Sequence, residues 1–162
     1  MGSDSDLPAM AECARVLDSY AVSFEMRVLS AHRTPDEAAR FAREAEGRGL
    51  KVIVAGAGGA AHLAGAMAAH STLPVIGVPL DSSPLRGFDA LLSTVQMPPG
   101  VPVATVGVGA MGAKNAGHLA VEILAVGDDR LRPRLVEQRQ KMAAEVLAKS
   151  AVMTPLHKAD AE

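Results

Sequence analysis

The chain is short of aromatic rings, thiols and net charge, and each shortage closes off a class of function. Tryptophan is absent, and Tyr20, Phe24, Phe41 and Phe88 are its aromatic residues. There is no platform for stacking successive bases, so any ring the protein binds is held mainly by backbone and aliphatic groups. Cys13 is the single cysteine; it excludes an intrachain disulfide and fits a reducing, cytoplasmic compartment. The amino end shows no basic-then-apolar targeting signal. A net charge of -2 provides no general attraction to nucleic acid or to an anionic membrane. No His or Cys pair has the spacing of a zinc motif, so a metal is not expected. No Gly-x-Ser-x-Gly elbow supports a hydrolase triad. The most apolar run, Val52 to Ala69, is broken by glycines, a turn signal and His62, which argues against a membrane span.

What the chain does have is enough apolar material for a core. Its 162 residues are 49% hydrophobic and 21% charged, which predicts one α/β domain over residues 1–150 and a frayed tail over 151–162. A loop, Gly2-Ser3-Asp4-Ser5-Asp6, leads into a helix that Asp6 caps and whose apolar face runs through Met10, Cys13, Ala14 and Leu17 to about Tyr20. Phe24, Met26 and Val28 alternate with Ser23, Glu25, Arg27 and Leu29, the period of a half-buried strand. Thr34, Pro35 and Glu37 read as a capping box opening a helix to Arg48, with Ala38, Phe41, Ala42 and Ala45 inward and Gly49 past its end. Short apolar strands are predicted over Lys51–Ala55, Val75–Val78 and Val101–Val108. Helices are expected from the Gly56–Gly59 turn to about His70, near Phe88–Leu92, over Asn115–Ala125 and from Arg130 to Lys149. Such alternation predicts a parallel sheet covered on both faces, with ligands at the carboxyl ends of the strands. The final helix, marked by Leu131, Leu135, Met142, Val146 and Leu147, packs either on another subunit or on its own sheet.

Ser30-Ala31-His32-Arg33-Thr34-Pro35 stands out, because a hydroxyl, an imidazole and a guanidinium sit between a strand end and a helix amino end that attracts anions. His32 is either a surface histidine or a general acid and base, the work for which imidazole is the side chain suited at physiological pH. Arg33 with Ser30 and Ser3 has the makings of a phosphate clamp. Asp6 accepts from a ribose hydroxyl, caps a helix, or does both. Gly56-x-Gly58-x-x-Ala61 follows a strand, and its glycines permit either close approach of a ligand or tight packing of helix on strand. His62 lies in that same stretch and either reaches the pocket or fills the helix.

Gly2 to Asp6, Ser30 to Pro35, Gly56 to Leu63 and Val95-Gln96-Met97-Pro98, four motifs in register over nearly the whole chain, resemble the 5-(carboxyamino)imidazole ribonucleotide mutase family of purine biosynthesis. The resemblance implies a three-layer flavodoxin-like fold, a cytoplasmic homo-octamer with sites at subunit junctions, and no metal, ATP, biotin or other cofactor. It implies a reaction that moves a carboxylate from the exocyclic nitrogen to ring carbon C4. By position, Ser3, Ser30 and Arg33 match the family's phosphate ligands, Asp6 its ribose ligand and His32 its catalytic histidine. The loop with Gly58, Gly59 and His62 would wall the base and carboxylate, as would the Gln96-Met97 loop.

Arg33-Thr34 stands where a sister branch, which carboxylates aminoimidazole ribonucleotide directly with carbon dioxide, usually has Lys-Gly. That favours the mutase; the direct carboxylase and a non-catalytic nucleotide-binding module are the alternatives. Two departures affect the expectation. Ala64 stands where the family usually has proline, leaving the turn after His62 less rigid. The family also carries an apolar strand ahead of the Gly-Ser loop, central in its sheet. The chain as written is expected to lack that first strand and to fold poorly for want of it. The natural start is expected upstream of Met1, which an intact mass of the native protein would check.

Overall fold

The computed structural model describes residues 1–153, so most of the tail expected over 151–162 lies outside the described residues. Its elements are a single 3-10 turn Asp4–Asp6, α1 (Leu7–Ser19), α2 (Pro35–Glu44), β1 (Ile53–Gly58), α3 (Leu63–His70), β2 (Val75–Leu80), α4 (Phe88–Val95), β3 (Ala104–Thr105), α5 (Gly109–Leu124) and α6 (Leu131–Ala151). Among the described residues the sheet is three-stranded and parallel in the order β1-β2-β3, with Ile53 opposite Val75 and Gly77 opposite Thr105.

The two-residue period of the strands sorts the core into two layers. Ile76, Val78 and Leu80 face α1 and α5, where they meet Met10, Cys13, Leu17, Ala116 and Val121. Ile53, Ala55 and Val75 face the other way, onto Ala38 and Ala42 of α2 and Leu63 and Met67 of α3. Helices therefore cover both faces, as the alternation requires. Cys13 belongs to the first layer, and burial pushes its thiol up to about 11.

Element boundaries move outward from the expected ones where packing continues the pattern. β1 runs through Gly58, β2 through Leu80, α5 starts at Gly109 and α6 reaches Ala151, whereas α2 ends at Glu44 and β3 keeps two residues.

The expected strand over Ser23–Leu29 is not a strand here. Phe24, Met26 and Val28, the side chains whose alternation suggested a buried face, are 44%, 38% and 55% exposed. The cause is a missing ladder partner, since an extended segment becomes a strand only when a neighbour takes its N–H and C=O groups. Two bonds are made, both to the first residue: the Leu29 N–H donates to the Met1 carbonyl at 2.8 Å, and the Met1 amine donates to the Arg27 carbonyl at 2.8 Å. On the other side the Gly2 N–H donates to the Gly56 carbonyl of β1 at 3.0 Å. Met1 and Gly2 thus bridge the segment to the sheet for two residues. Beyond them a groove of about 260 Å³ separates the two, lined by Phe24, Leu29, Val52, Val54, Leu17 and Leu124 among others.

α6 divides along its length. Leu131 is buried and Leu135 packs against the α1–α5 layer. Arg134 donates to the carbonyls of Ser19 and Tyr20, capping the end of α1, and lies over the Tyr20 ring. Past Arg139, which pairs with Glu122 at 2.7 Å, Val146 and Leu147 are 65% and 69% exposed.

Candidate active site

The carboxyl ends of the strands meet three loops around one cavity of about 410 Å³, lined by residues of the 2–6, 30–33 and 57–63 segments and by Ser82. Ser3, Asp6, Ser30, His32, Arg33, Gly58 and His62 all line it. Gly59 is not among the lining residues; it turns the chain next to them with φ +60.

The loop before α1 is built around Asp6. Ser3 caps the 3-10 turn, its hydroxyl accepting from the Ser5 N–H at 3.3 Å, while the Asp6 carboxylate accepts from the Ser3 N–H at 3.0 Å. These reciprocal bonds form a capping box and hold Asp6 inward, 6% exposed. Burial raises its pKa above the ordinary 3.8, and the hydrogen bond from Ser3 and the nearby Met1 ammonium offset part of that rise.

The turn before α2 corrects one expectation. Thr34 occupies the N-cap position of α2, but its side chain makes no cap bond there. Its hydroxyl instead donates to the Ser30 carbonyl at 3.1 Å and accepts from the Ser30 N–H at 3.0 Å. Closing the 30–34 turn directs the hydroxyl to Ser30 and away from the helix end, and no capping box with Glu37 forms. Ser30 Oγ in turn accepts from the Arg33 backbone N–H at 3.1 Å. The Arg33 guanidinium reaches back to the Gly2 carbonyl at 3.1 Å and to Ser30 Oγ at 3.4 Å. Arg33 therefore ties the 30–34 turn to the 2–6 loop and sets three hydroxyl or guanidinium groups on one side of the cavity, the donor set that suits a dianion.

The glycine-rich stretch supplies the opposite wall. A Cβ on Gly58 would overlap Ser82 Oγ, so glycine lets the Ser82 hydroxyl approach the end of β1 at the cavity. Ala61 has φ +32, a left-handed backbone that disfavours side chains, and its N–H donates to the Gly58 carbonyl at 3.1 Å. That turn delivers His62. Its Nδ1 lies 2.7 Å from Nε2 of His32, the rings 77° apart with centroids at 4.8 Å.

Ser82, which sequence reading passed over, lies two residues beyond the end of β2, and the rule that ligands sit beyond strand carboxyl ends would have picked it out. Gln96 and Met97, expected as a further wall, are not among the residues lining the cavity. Met97 instead stands against α3, its sulfur 3.2 Å from where a Cβ on Gly65 would be. Among the described residues no group of three His, Cys, Asp or Glu side chains is placed to hold a metal ion, and no helix is long and apolar enough to cross a membrane.

Comparison with known proteins agrees with this architecture. A protein from Pyrococcus abyssi named N5-carboxyaminoimidazole ribonucleotide mutase is 57% identical over 142 residues, covering 88% of this chain and 80% of its own. The mutase of that name from Mycobacterium tuberculosis H37Rv is 54% identical, covering 96% and 88%. The one from Bacillus subtilis is 53% identical, covering 93% of each. The crystal structure of Treponema denticola PurE superposes with a TM-score of 0.85 at 24% identity, covering 95% of either chain, which speaks for the fold. The model of the AIR carboxylase family matches residues 1–145, and the chain belongs to that family.

Proposed function

We propose that this chain is a 5-(carboxyamino)imidazole ribonucleotide mutase of purine biosynthesis. It is an isomerase converting its substrate to 4-carboxy-5-aminoimidazole ribonucleotide. The observation that carries the reading is the position of His32, an imidazole in the same cavity as Ser3, Asp6, Ser30 and Arg33. Relatives bearing the mutase name at 53–57% identity support it. Ser3, Ser30 and Arg33 hold the 5′-phosphate, and Asp6 accepts from the ribose. Gly58 and His62 wall the base. His32 gives a proton to the exocyclic nitrogen as the N–C bond breaks and carbon dioxide leaves. C4 then attacks the trapped carbon dioxide, and His32 takes the C4 proton. One proton leaves and one returns, so the cycle closes on a single imidazole without ATP or biotin. General acid–base catalysis of this kind is worth roughly 10² to 10⁴ in rate, and keeping carbon dioxide against the ring adds proximity. The protein works in the cytoplasm as a homo-octamer.

The test is conversion of 5-(carboxyamino)imidazole ribonucleotide without ATP or added bicarbonate, with wild type beside His32→Asn. We expect wild-type turnover and at least about a hundredfold loss in the variant, with substrate binding retained. Turnover of aminoimidazole ribonucleotide that requires added bicarbonate, without conversion of the carboxyamino compound, would identify the direct carboxylase instead. Tight NAD binding with no turnover of either would identify a binding module.

A further inference from the structure

The 2.7 Å contact between Nε2 of His32 and Nδ1 of His62 constrains the proton chemistry more than a wall residue would. Two imidazoles at that distance need one donor and one acceptor. On the mutase reading, on which this inference rests, the first step requires His32 with hydrogen on both ring nitrogens. Nε2 of His32 can then only donate, so Nδ1 of His62 can only accept, and neutral His62 keeps its own hydrogen on Nε2. We propose that His62 is the positioning residue for His32: by accepting from Nε2–H it orients the ring and leaves the Nδ1 hydrogen as the proton that is handed over. Both side chains are exposed, and among the described residues neither ring makes another hydrogen bond; the difference lies in the backbone that carries them. His62 is anchored between Ala61 and Leu63, each 3% exposed, and follows the left-handed Ala61 at φ +32. A strained backbone kept next to a polar side chain is how a site fixes the aim of that side chain. Through both half-reactions the protons pass between His32 and the substrate: one from His32 to the exocyclic nitrogen, one from C4 back to His32. His62 gains and loses none.

The test compares His62→Leu, His62→Asn and His62→Gln in the full chain. Leu removes the acceptor and is expected to lower kcat roughly tenfold to a hundredfold, the span for losing a hydrogen bond to a charged group, with KM within about twofold of wild type. Asn puts Oδ1 where Nδ1 stood and recovers most of that loss, whereas Gln, whose polar atoms lie one bond further out, does not. Nitrogen-15 NMR of the ligand-free protein is expected to show a hydrogen-bonded Nε2 on His32 in wild type that disappears in His62→Leu. Equal kcat losses in all three variants, a rise in KM with kcat intact, or unchanged His32 signals would each overturn the proposal. Absence of wild-type mutase turnover would instead sink the mutase reading, and the NMR comparison reads the histidine pair independently of it.

Discussion

Asp6 shows at the scale of one residue how a site can cost the fold. Its carboxyl is buried, and burial raises its pKa above 3.8, so native Asp6 keeps its proton to higher pH than unfolded Asp6. The native state therefore binds the extra proton, and the stability this carboxyl lends below about pH 3.8 is lost as pH rises through its folded pKa. Ionised Asp6 is a standing destabilisation at neutral pH, and on the function proposed above its carboxylate serves as the acceptor for a ribose hydroxyl. Asp6→Asn keeps an oxygen for the Ser3 N–H and removes the buried charge. We expect its Tm at pH 7 to equal or exceed that of wild type, the difference shrinking at pH 3, while KM for the ribonucleotide rises tenfold or more, on the order of a lost charged hydrogen bond. Melting curves at the two pH values and a saturation curve check this, and a variant that melts far below wild type at pH 7 would contradict it. At this scale the sequence exposed residue types but not partners. Asp6, Ser30 and Arg33 could be picked out because their chemistry is unusual at a loop. The hydroxyl of Thr34 was misassigned because two backbone partners compete for it, and only the folded turn decides between the Ser30 groups and the helix end. The meeting of His32 with His62 spans 30 residues, a separation no local pattern encodes.

At the scale of the element, periodicity located helices and strands reliably wherever a partner element was available. Ile53–Gly58 and Val75–Leu80 pair along six residues each, and both were legible as short apolar runs between turn signals. The segment from Ser23 to Leu29 has an equally clear alternation yet stays unpaired, because a strand is a property of two segments and periodicity describes one. Its hydrogen bonds to Met1, and that of Gly2 to Gly56, define a slot one strand wide, with backbone groups on either side and apolar side chains from both core layers. Filling that slot is expected to stabilise the fold. A variant carrying five alternating Val and Ile residues fused ahead of Met1 continues the register already begun by Met1 and Gly2. Each side chain buried there contributes about 1.5–3 kcal/mol before ordering costs, and about 1 kcal/mol moves the Tm of a chain this size by roughly 2–4 °C. We expect a rise of at least about 5 °C by calorimetry, together with slowed amide exchange at Leu29 and Gly56. An extension that leaves both unchanged would show that the groove does not accept a strand.

For the whole molecule, the unsettled element is α6, for which sequence allowed packing on its own sheet or on another subunit. The structure assigns its two halves differently. Leu131, Leu135 and Arg134 fasten the first turns to α5 and the end of α1, while Met142, Val146 and Leu147 remain uncovered. Amphipathic pattern alone could not make that division, because the stripe is continuous along the helix. A long helix with an unsupported apolar stripe is stabilised chiefly by packing against something else. In the octamer proposed here that partner is another copy of the same chain. Glutamate at both Val146 and Leu147 puts two charges into such an interface while touching nothing in the body of the domain, where both residues are exposed. Sedimentation is expected to give a mass of eight chains for wild type and a smaller, helical and folded species for the double variant. If the sites lie at subunit junctions, as the resemblance implies, its turnover should fall with its mass. A double variant that keeps both the wild-type mass and the wild-type rate would place the exposed half of α6 outside the assembly and turn attention to other exposed apolar surfaces, such as that of α4 with Phe88, Leu92 and Val95.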